Sequence, residues 1–421
     1  MSQLTADTNG PLAKDNITLP ADAWKMASTV FLAIGVIGIG MTIAGATYAG
    51  LRHALASYHV GFIAVLAISL GGLFWTLVFN LTQSGWSVGI RRQFENFFGM
   101  IPILAVMFLP VVIIELAGLT GENPLCSWLD TTYTQGDAVF EKKAGFFSTP
   151  FVLGRVILYF GIWIILVRKL WGYSSVQDRT GDKWLTNKAR FTSAWGMLLF
   201  ALSTAFFAFD WLMALTDYHF FSTMWGVYYF AGAAMSSMAL AVIVFTFLTR
   251  GGRLRGVVTE EHFHDMGKLM FGFTVFWAYI GFSQYFLIWY ANIPEETAFF
   301  LIRKTNGWEN LFRLLIFGHF VIPFMILLWW KTKRMPIVAA VVAVWLLVMH
   351  IADMYWIIRP GLYVTDPIDK VHAEFFWVDL GGILAAVGIY FGLLIRRISS
   401  GPLVPLQDPR MPEALQHRNY V

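Results

Sequence analysis

Residues 57–81, SYHVGFIAVLAISLGGLFWTLVFNL, contain no Lys, Arg, Asp or Glu. At 1.5 Å rise per residue, about 20 such residues form a helix long enough to cross a bilayer. Comparable runs lie near 27–49, 97–118, 149–170, 191–215, 221–248, 266–292, 308–330, 336–357 and 374–396. The sequence therefore predicts an all-α polytopic membrane protein of ten transmembrane helices, spans 1 to 10 in chain order.

Composition agrees. Hydrophobic residues make up 57% of the 421 and charged residues 13%, against about a quarter charged in soluble domains. The chain divides into an amino-terminal tail (1–26), a ten-helix domain (27–396) and a carboxyl-terminal tail (397–421), and the tails are too short to bury a core of their own. The first apolar run follows polar residues including Asp7, Lys14, Asp15 and Asp22 and lacks an obvious cleavage site, so it is expected to remain as a span rather than act as a signal peptide. The net charge of +4 does not point to nucleic acid, because the basic residues sit at span ends.

The single cysteine, Cys126, excludes an intrachain disulfide, a thiolate-held iron–sulfur cluster and covalent haem attachment by this chain alone. No metal site is expected. A b-type haem would need axial histidines at matching depth, and His319 and His350 differ by about four residues, roughly 6 Å.

Lys and Arg are about three times as frequent on the side holding both tails and the loops after spans 2, 4, 6 and 8 as on the other side. That bias predicts cytoplasmic termini in a bacterial inner membrane. The opposite side holds Arg52, Lys142, Lys143, Arg303, Lys304, Arg359 and Lys370, with a long loop between Thr120 and Ser148. The ten spans divide as one, four, four, one, with spans 2–5 and 6–9 as two bundles of shared orientation. Small residues four apart, Gly40/Ala44 and Gly45/Ala49 in span 1 and Gly381/Ala385 and Gly382/Ala386 in span 10, are suited to close helix contact in lipid.

Ionisable residues at membrane depth cost about 2.5–3.5 kcal/mol each on insertion scales, so each calls for a partner, a water-filled cavity or a function. Glu115, Arg155, Asp210, Arg313, His350, Asp353 and Asp379 all fall in the non-cytoplasmic third, with His319 nearer the middle. His350 and Asp353, spaced i, i+3, share a helix face, so a proton could pass between them or the carboxylate could orient the imidazole. The two arginines are expected to neutralise the carboxylates. The alternative is that each is an interfacial or paired structural charge.

Span 7 adds a polar face of Thr274, Tyr279, Ser283, Gln284 and Tyr285, suited to a water wire or a quinone carbonyl. At its cytoplasmic mouth His262, His264, Asp265 and Lys268 are candidates for proton entry or members of an ordinary solvated loop. Ser193, Ser203, Thr204, Ser236, Ser237, Tyr228 and Tyr229 are the polar groups between the mouth and the outer cluster.

The segments FDWLMALT (209–216), YHFFSTMWGVYYFAG (218–232), HDMGK (264–268) and FSQYFLIWYANIPEET (282–297) resemble the ActF subunits of bacterial alternative complex III, among the NrfD-like membrane proteins. The resemblance implies a quinol-oxidising complex that delivers electrons to cytochrome c or an oxidase. It also implies two four-helix bundles with flanking helices, and quinone binding, proton transfer or scaffolding as this subunit's part. Multihaem cytochrome c, iron–sulfur and paralogous ActC-like membrane subunits are the implied partners and carry the haem c and iron–sulfur clusters. The resemblance transfers no catalytic residue. Two other readings stand beside it: the membrane anchor of a molybdenum-type reductase, and a secondary transporter, for which Pro110 and Pro323 would mark broken helices.

Overall fold

The computed structural model describes residues 10–20, 22–121, 124–215, 217–305, 307–363 and 375–419; the start of the amino-terminal tail and the loop position Lys370 lie outside them. Its described residues are 79% helical and include no strand. Among the described residues ten helices are long and apolar enough to cross a membrane: Lys25–Tyr48, Leu51–Leu81, Val88–Leu116, Thr149–Thr180, Trp184–Met213, Trp225–Arg250, Glu260–Ala291, Trp308–Leu328, Pro336–Leu362 and Phe376–Ser399. These are spans 1 to 10. The chain is a multi-pass membrane protein.

Span 2 packs on spans 3 and 5, and spans 3 and 5 each pack on span 4, which closes one four-helix ring. Spans 6, 7, 8 and 9 close a second ring in the same manner. The leading helix of each ring, span 2 or span 6, is the most buried: 89% of its apolar window lies inside the protein. These two helices meet along Gly71, where an added Cβ would lie 2.0 Å from the Ala233 carbonyl oxygen. The Trp75 indole donates to the Ala234 carbonyl at 2.9 Å across the same seam.

Spans 1 and 10 form the flanking pair. Their contact uses Gly35, Gly38 and Gly45 against Gly388, Ala385 and Val378, whereas Gly40 faces open space. The small-residue reading is thus corrected at Gly40. Gly382 belongs to a different contact, against Ser57 and Tyr58 of span 2.

Four spans start well before their apolar runs: span 2 at Leu51, span 3 at Val88, span 5 at Trp184 and span 7 at Glu260. In spans 3 and 7 the charged residues of the first turns are paired. Arg91 and Arg92, read from sequence as flanking loop charges, are buried. Arg91 binds Glu95 at 3.0 Å and Asp408 at 2.8 Å; Arg92 binds Glu95 at 3.2 Å and also Asp178. Both tails pack over this end: Ile17 accepts from the Leu403 N–H, Asn16 from Leu254, and Asp178 from Leu406. The described parts of both tails are therefore packed on the helical domain. They share one end with the loops after spans 2, 4, 6 and 8.

Candidate functional site

The ionisable residues read from sequence as one outer cluster separate into distinct sites. In the first bundle Arg155 of span 4 grips Asp210 of span 5 through two hydrogen bonds, at 2.8 and 3.1 Å, and the Tyr159 hydroxyl donates to the same carboxylate at 2.8 Å. Asp210 lies in a π-helical turn, Phe209–Met213, where Ala214 N–H reaches back to the Phe209 carbonyl. Such a turn inserts one residue into the ladder and re-aims its side chains. Glu115 of span 3 accepts from the Cys126 backbone N–H at 2.9 Å, which ties the outer loop to the bundle.

Asp379 of span 10 has a separate set of donors. Ser57 and His53 of span 2 lie at 2.6 and 3.1 Å, Tyr355 of span 9 at 2.7 Å, and Arg359 at 2.9 Å. Arg359 and His53 were missed as site residues, Arg359 because it follows its apolar run and reads as a loop charge. Arg313, expected to hold the carboxylates, is instead exposed at the outer end of span 8 and donates to Asn310 at 3.2 Å. The helix turns it outward, away from the bundle core that holds Asp353.

Asp353 is different. It is fully buried in the second bundle and accepts from two neutral donors, the Tyr228 hydroxyl of span 6 at 2.5 Å and the Trp277 indole of span 7 at 3.0 Å. Among the described residues no Lys or Arg pairs with it. His350, one turn away, makes no hydrogen bond to it, so the expected His350–Asp353 link is corrected: the shared helix face places them together but the nearer donors come from neighbouring helices. The His350 imidazole sits against Gly232, where a Cβ would lie 3.1 Å from its ring.

His319 of span 8 completes the cluster, its ring centroid 3.9 Å from that of Trp277. Neither His319 nor His350 has a hydrogen-bond partner among the described residues. His319 lies in a second π-helical stretch, Leu315–Val321, just before Pro323. Proline has no N–H for the His319 carbonyl and crowds it, which accounts for the widened ladder. Span 8 nevertheless stays helical through Pro323, and span 3 through Pro110, so neither proline unwinds a helix as the transporter reading expects.

Tyr228 and Trp277 also wall an apolar cavity of about 590 Å³ between spans 6, 7 and 8. Its aromatic lining includes Phe299 and Phe300 of a short helix, Pro294–Ile302, that folds back over the outer end. Tyr279 and Phe282 at its rim are exposed, so it opens on the lipid-facing side. Gln284 and Tyr285 both line it. The Gln284 amide oxygen accepts from Ser222 at 2.6 Å, and the Tyr285 hydroxyl from Lys304. The polar face of span 7 is divided: Thr274 and Gln284 point inward, while Tyr279 is exposed and Ser283 turns back onto its own helix. Trp277 shares the inward face, and its spacing from Thr274 and Gln284 was the signal that could have found it.

The candidate proton-entry residues are not in a loop but in the first turns of span 7. His262 is buried and caps the helix with Thr259, and His264 is buried beside Trp330. Asp265 binds Lys268 at 3.0 Å and, from the carboxyl-terminal tail, His417 at 2.6 Å. Of the polar groups proposed between there and the outer side, Ser193 and Ser203 bond within their own helices and to Asn80 and Trp163, Ser236 bonds the Ala233 carbonyl, and Tyr229 bonds the Ile63 carbonyl. They form no continuous hydrogen-bonded chain among the described residues. No group of three His, Cys, Asp or Glu there is placed to hold a metal ion. No family model and no curated protein sequence matches this chain.

Proposed function

We propose that the chain is a membrane subunit of a quinol-oxidising electron-transfer complex similar to alternative complex III, and that its second bundle binds quinol or quinone and accepts protons at Asp353. One observation carries this reading. A fully buried carboxylate with two neutral donors and, among the described residues, no arginine stands behind the wall of an aromatic cavity open towards lipid. Burying a carboxylate is costly without a compensating charge. Asp210 and Asp379 have arginines for that purpose; Asp353 has only neutral donors, so its ionised carboxylate gains by taking up a proton and can act as an acceptor.

The lining fits a quinone: flat aromatic walls for the ring, an apolar rim for an isoprenoid tail, and polar groups at a few points. A quinol supplies two electrons and two protons on oxidation. The residues of this chain provide for the protons. Tyr228 lines the cavity and donates to Asp353, so a proton taken up at its oxygen can release the phenol's own proton to the carboxylate. Trp277 holds the second carboxylate oxygen, and His350 and His319 supply further buried acceptors within the same four helices. Electrons would leave through haem c and iron–sulfur groups on partner subunits, including a multihaem cytochrome and an ActC-like paralogue. The membrane would be a bacterial inner membrane, with both tails in the cytoplasm.

The test is Asp353→Asn in the intact complex reconstituted in proteoliposomes. Assembly is expected to persist while quinol oxidation or proton release falls severalfold. Wild-type turnover and proton release in this variant would overturn the reading and leave scaffolding as the subunit's role.

A further inference from the structure

The end of the molecule that carries both tails holds a guanidinium with no acceptor. Glu95 binds Arg91 and Arg92 and accepts from the Ser174 hydroxyl, Asp178 binds Arg92 and the Leu406 N–H, and Asp408 binds Arg91 and Arg410. The carboxylates of this cluster are thereby occupied by three arginines. A fourth, Arg397 in the last turn of span 10, has neither a carboxylate partner nor a hydrogen-bond acceptor among the described residues. Its Nε is enclosed and unbonded, whereas Nη1 and Nη2 remain open to the surface. The guanidinium lies 4.5 Å from the ring centroid of Trp171 on span 4, which also holds Arg92 at 5.2 Å. On its other flank it rests against Gly99 of span 3, where a Cβ would overlap it.

We infer that Arg397 and Trp171 hold the phosphate of an anionic phospholipid from the leaflet at this end. Gly99 lies at the start of the apolar run of its span, and Trp171 and Arg397 lie just past the ends of theirs, which is the level of lipid headgroups. Below the guanidinium, span 3 continues into the membrane through Ile103 and Val106, four and seven residues on from Gly99 and 36% and 64% exposed. That strip gives an acyl chain a path from the arginine into the hydrocarbon, which a free phosphate would not use. Arg168, one turn before Trp171 on span 4, is exposed and has no carboxylate partner among the described residues, so it adds a second positive charge. The arginine fork matches phosphate oxygens. The ammonium of a zwitterionic headgroup would be repelled by both arginines, so the site selects a lipid with net negative charge. This site does not depend on the cavity beside Asp353 or on what that cavity binds.

The experiment is native mass spectrometry of the full-length protein in detergent, titrated with dioleoyl phosphatidylglycerol or dioleoyl phosphatidylcholine. One phosphatidylglycerol is expected to bind at least about fivefold more tightly than phosphatidylcholine, the worth of one arginine at a membrane surface. Arg397→Gln should abolish that preference and Arg168→Gln should reduce it, while Lys188→Gln, which removes an exposed cation elsewhere at the same end, should leave it unchanged. Ile103→Trp, which blocks the acyl path and leaves both arginines, should also weaken the bound phosphatidylglycerol, and it decides the matter if Arg397→Gln does not fold. Equal binding of the two lipids overturns the inference, as does a preference that survives Arg397→Gln or, where that variant does not fold, Ile103→Trp. Displacement of phosphatidylglycerol by millimolar inorganic phosphate would assign the arginine to a soluble anion and overturn it as well.

Discussion

Asp210, Asp379 and Asp353 are all buried within the helices, and each meets the cost of burial in a different way. Asp210 has Arg155 and Asp379 has Arg359, whereas Asp353 has a phenol and an indole. Removing one member of a buried ion pair leaves the other charge uncompensated, at about 3–5 kcal/mol. Asp210→Asn is therefore expected to lower the thermal stability of the purified protein markedly, because Arg155 stays buried without its counter-charge. Asp353→Asn strands no cation. Trp277 can still donate to the amide oxygen and the Tyr228 hydroxyl can turn to accept from the amide N–H, so the cost should stay within about 1 kcal/mol. Thermal unfolding of the two variants in one detergent checks this, and an Asp353→Asn protein as unstable as Asp210→Asn would mean that Asp353 has a structural charge partner after all.

Among the elements, the flanking pair is held along its length by backbone proximity, with polar contacts near one end, where Ser28 donates to the Gly392 carbonyl at 2.8 Å and accepts from Arg396 at 3.1 Å. A Cβ at Gly388 would lie 2.4 Å from the Gly35 nitrogen, while one at Gly40 would meet nothing within 4 Å. Gly388→Leu should therefore part span 1 from span 10, and Gly40→Leu should not. Disulfide crosslinking between cysteines introduced at Leu32 and Gly392 would report the difference, with loss of the crosslink in the first variant alone. The outer loop is held by a different kind of contact. Desolvation would raise the carboxyl of Asp137, but donation from the Tyr218 hydroxyl, the Val139 and Phe140 N–H groups and His219 outweighs it and holds Asp137 down to about 2. A group depressed in the folded state stabilises it above its ordinary value of 3.8 and loses that contribution as pH falls towards about 2. Protease cleavage of the Thr131–Lys143 region should be slow at pH 5 and accelerate only below about pH 4, and Asp137→Asn should remove this pH step.

For the molecule as a whole, both tails and four loops gather at one end, in agreement with the alternation that ten helices impose. The excess of Lys and Arg at that end is the ground for expecting it in the cytoplasm. Reporter fusions after Arg418 and within the loop at Asp130 should be active on opposite sides of the membrane, with Arg418 inside; a carboxyl terminus outside would reverse the side assigned to the cavity and Asp353. The two bundles are alike in architecture but not in electrostatics. The first neutralises its aspartate with an arginine, and the second leaves its aspartate to neutral donors beside a cavity. Duplicated architecture has therefore not produced duplicated chemistry.

Ten spans, their order and the bias of charge between the two ends were legible in the sequence because each depends on local runs of residues and on counts. The division into two bundles was one grouping of ten spans, supported by the family resemblance, and the even number of helices in each gave their shared orientation. Tyr228, Gln284, His319, His350 and Asp353 were also visible as polar residues in apolar runs, since any such residue is conspicuous. Which groups touch was not visible. Arg313, inside an apolar run, and Arg359, just past one, read from sequence as the buried and the loop charge; in the structure Arg313 faces outward and Arg359 reaches Asp379, because the outcome depends on the rotation of each helix and on neighbours from other helices. The pairing of Asp353 with Tyr228 and Trp277, rather than with His350 on its own helix, was settled by the packing of spans 6, 7 and 9. Helix contacts fix side-chain direction in three dimensions, and the periodicity of one helix carries no information about the rotation of the next.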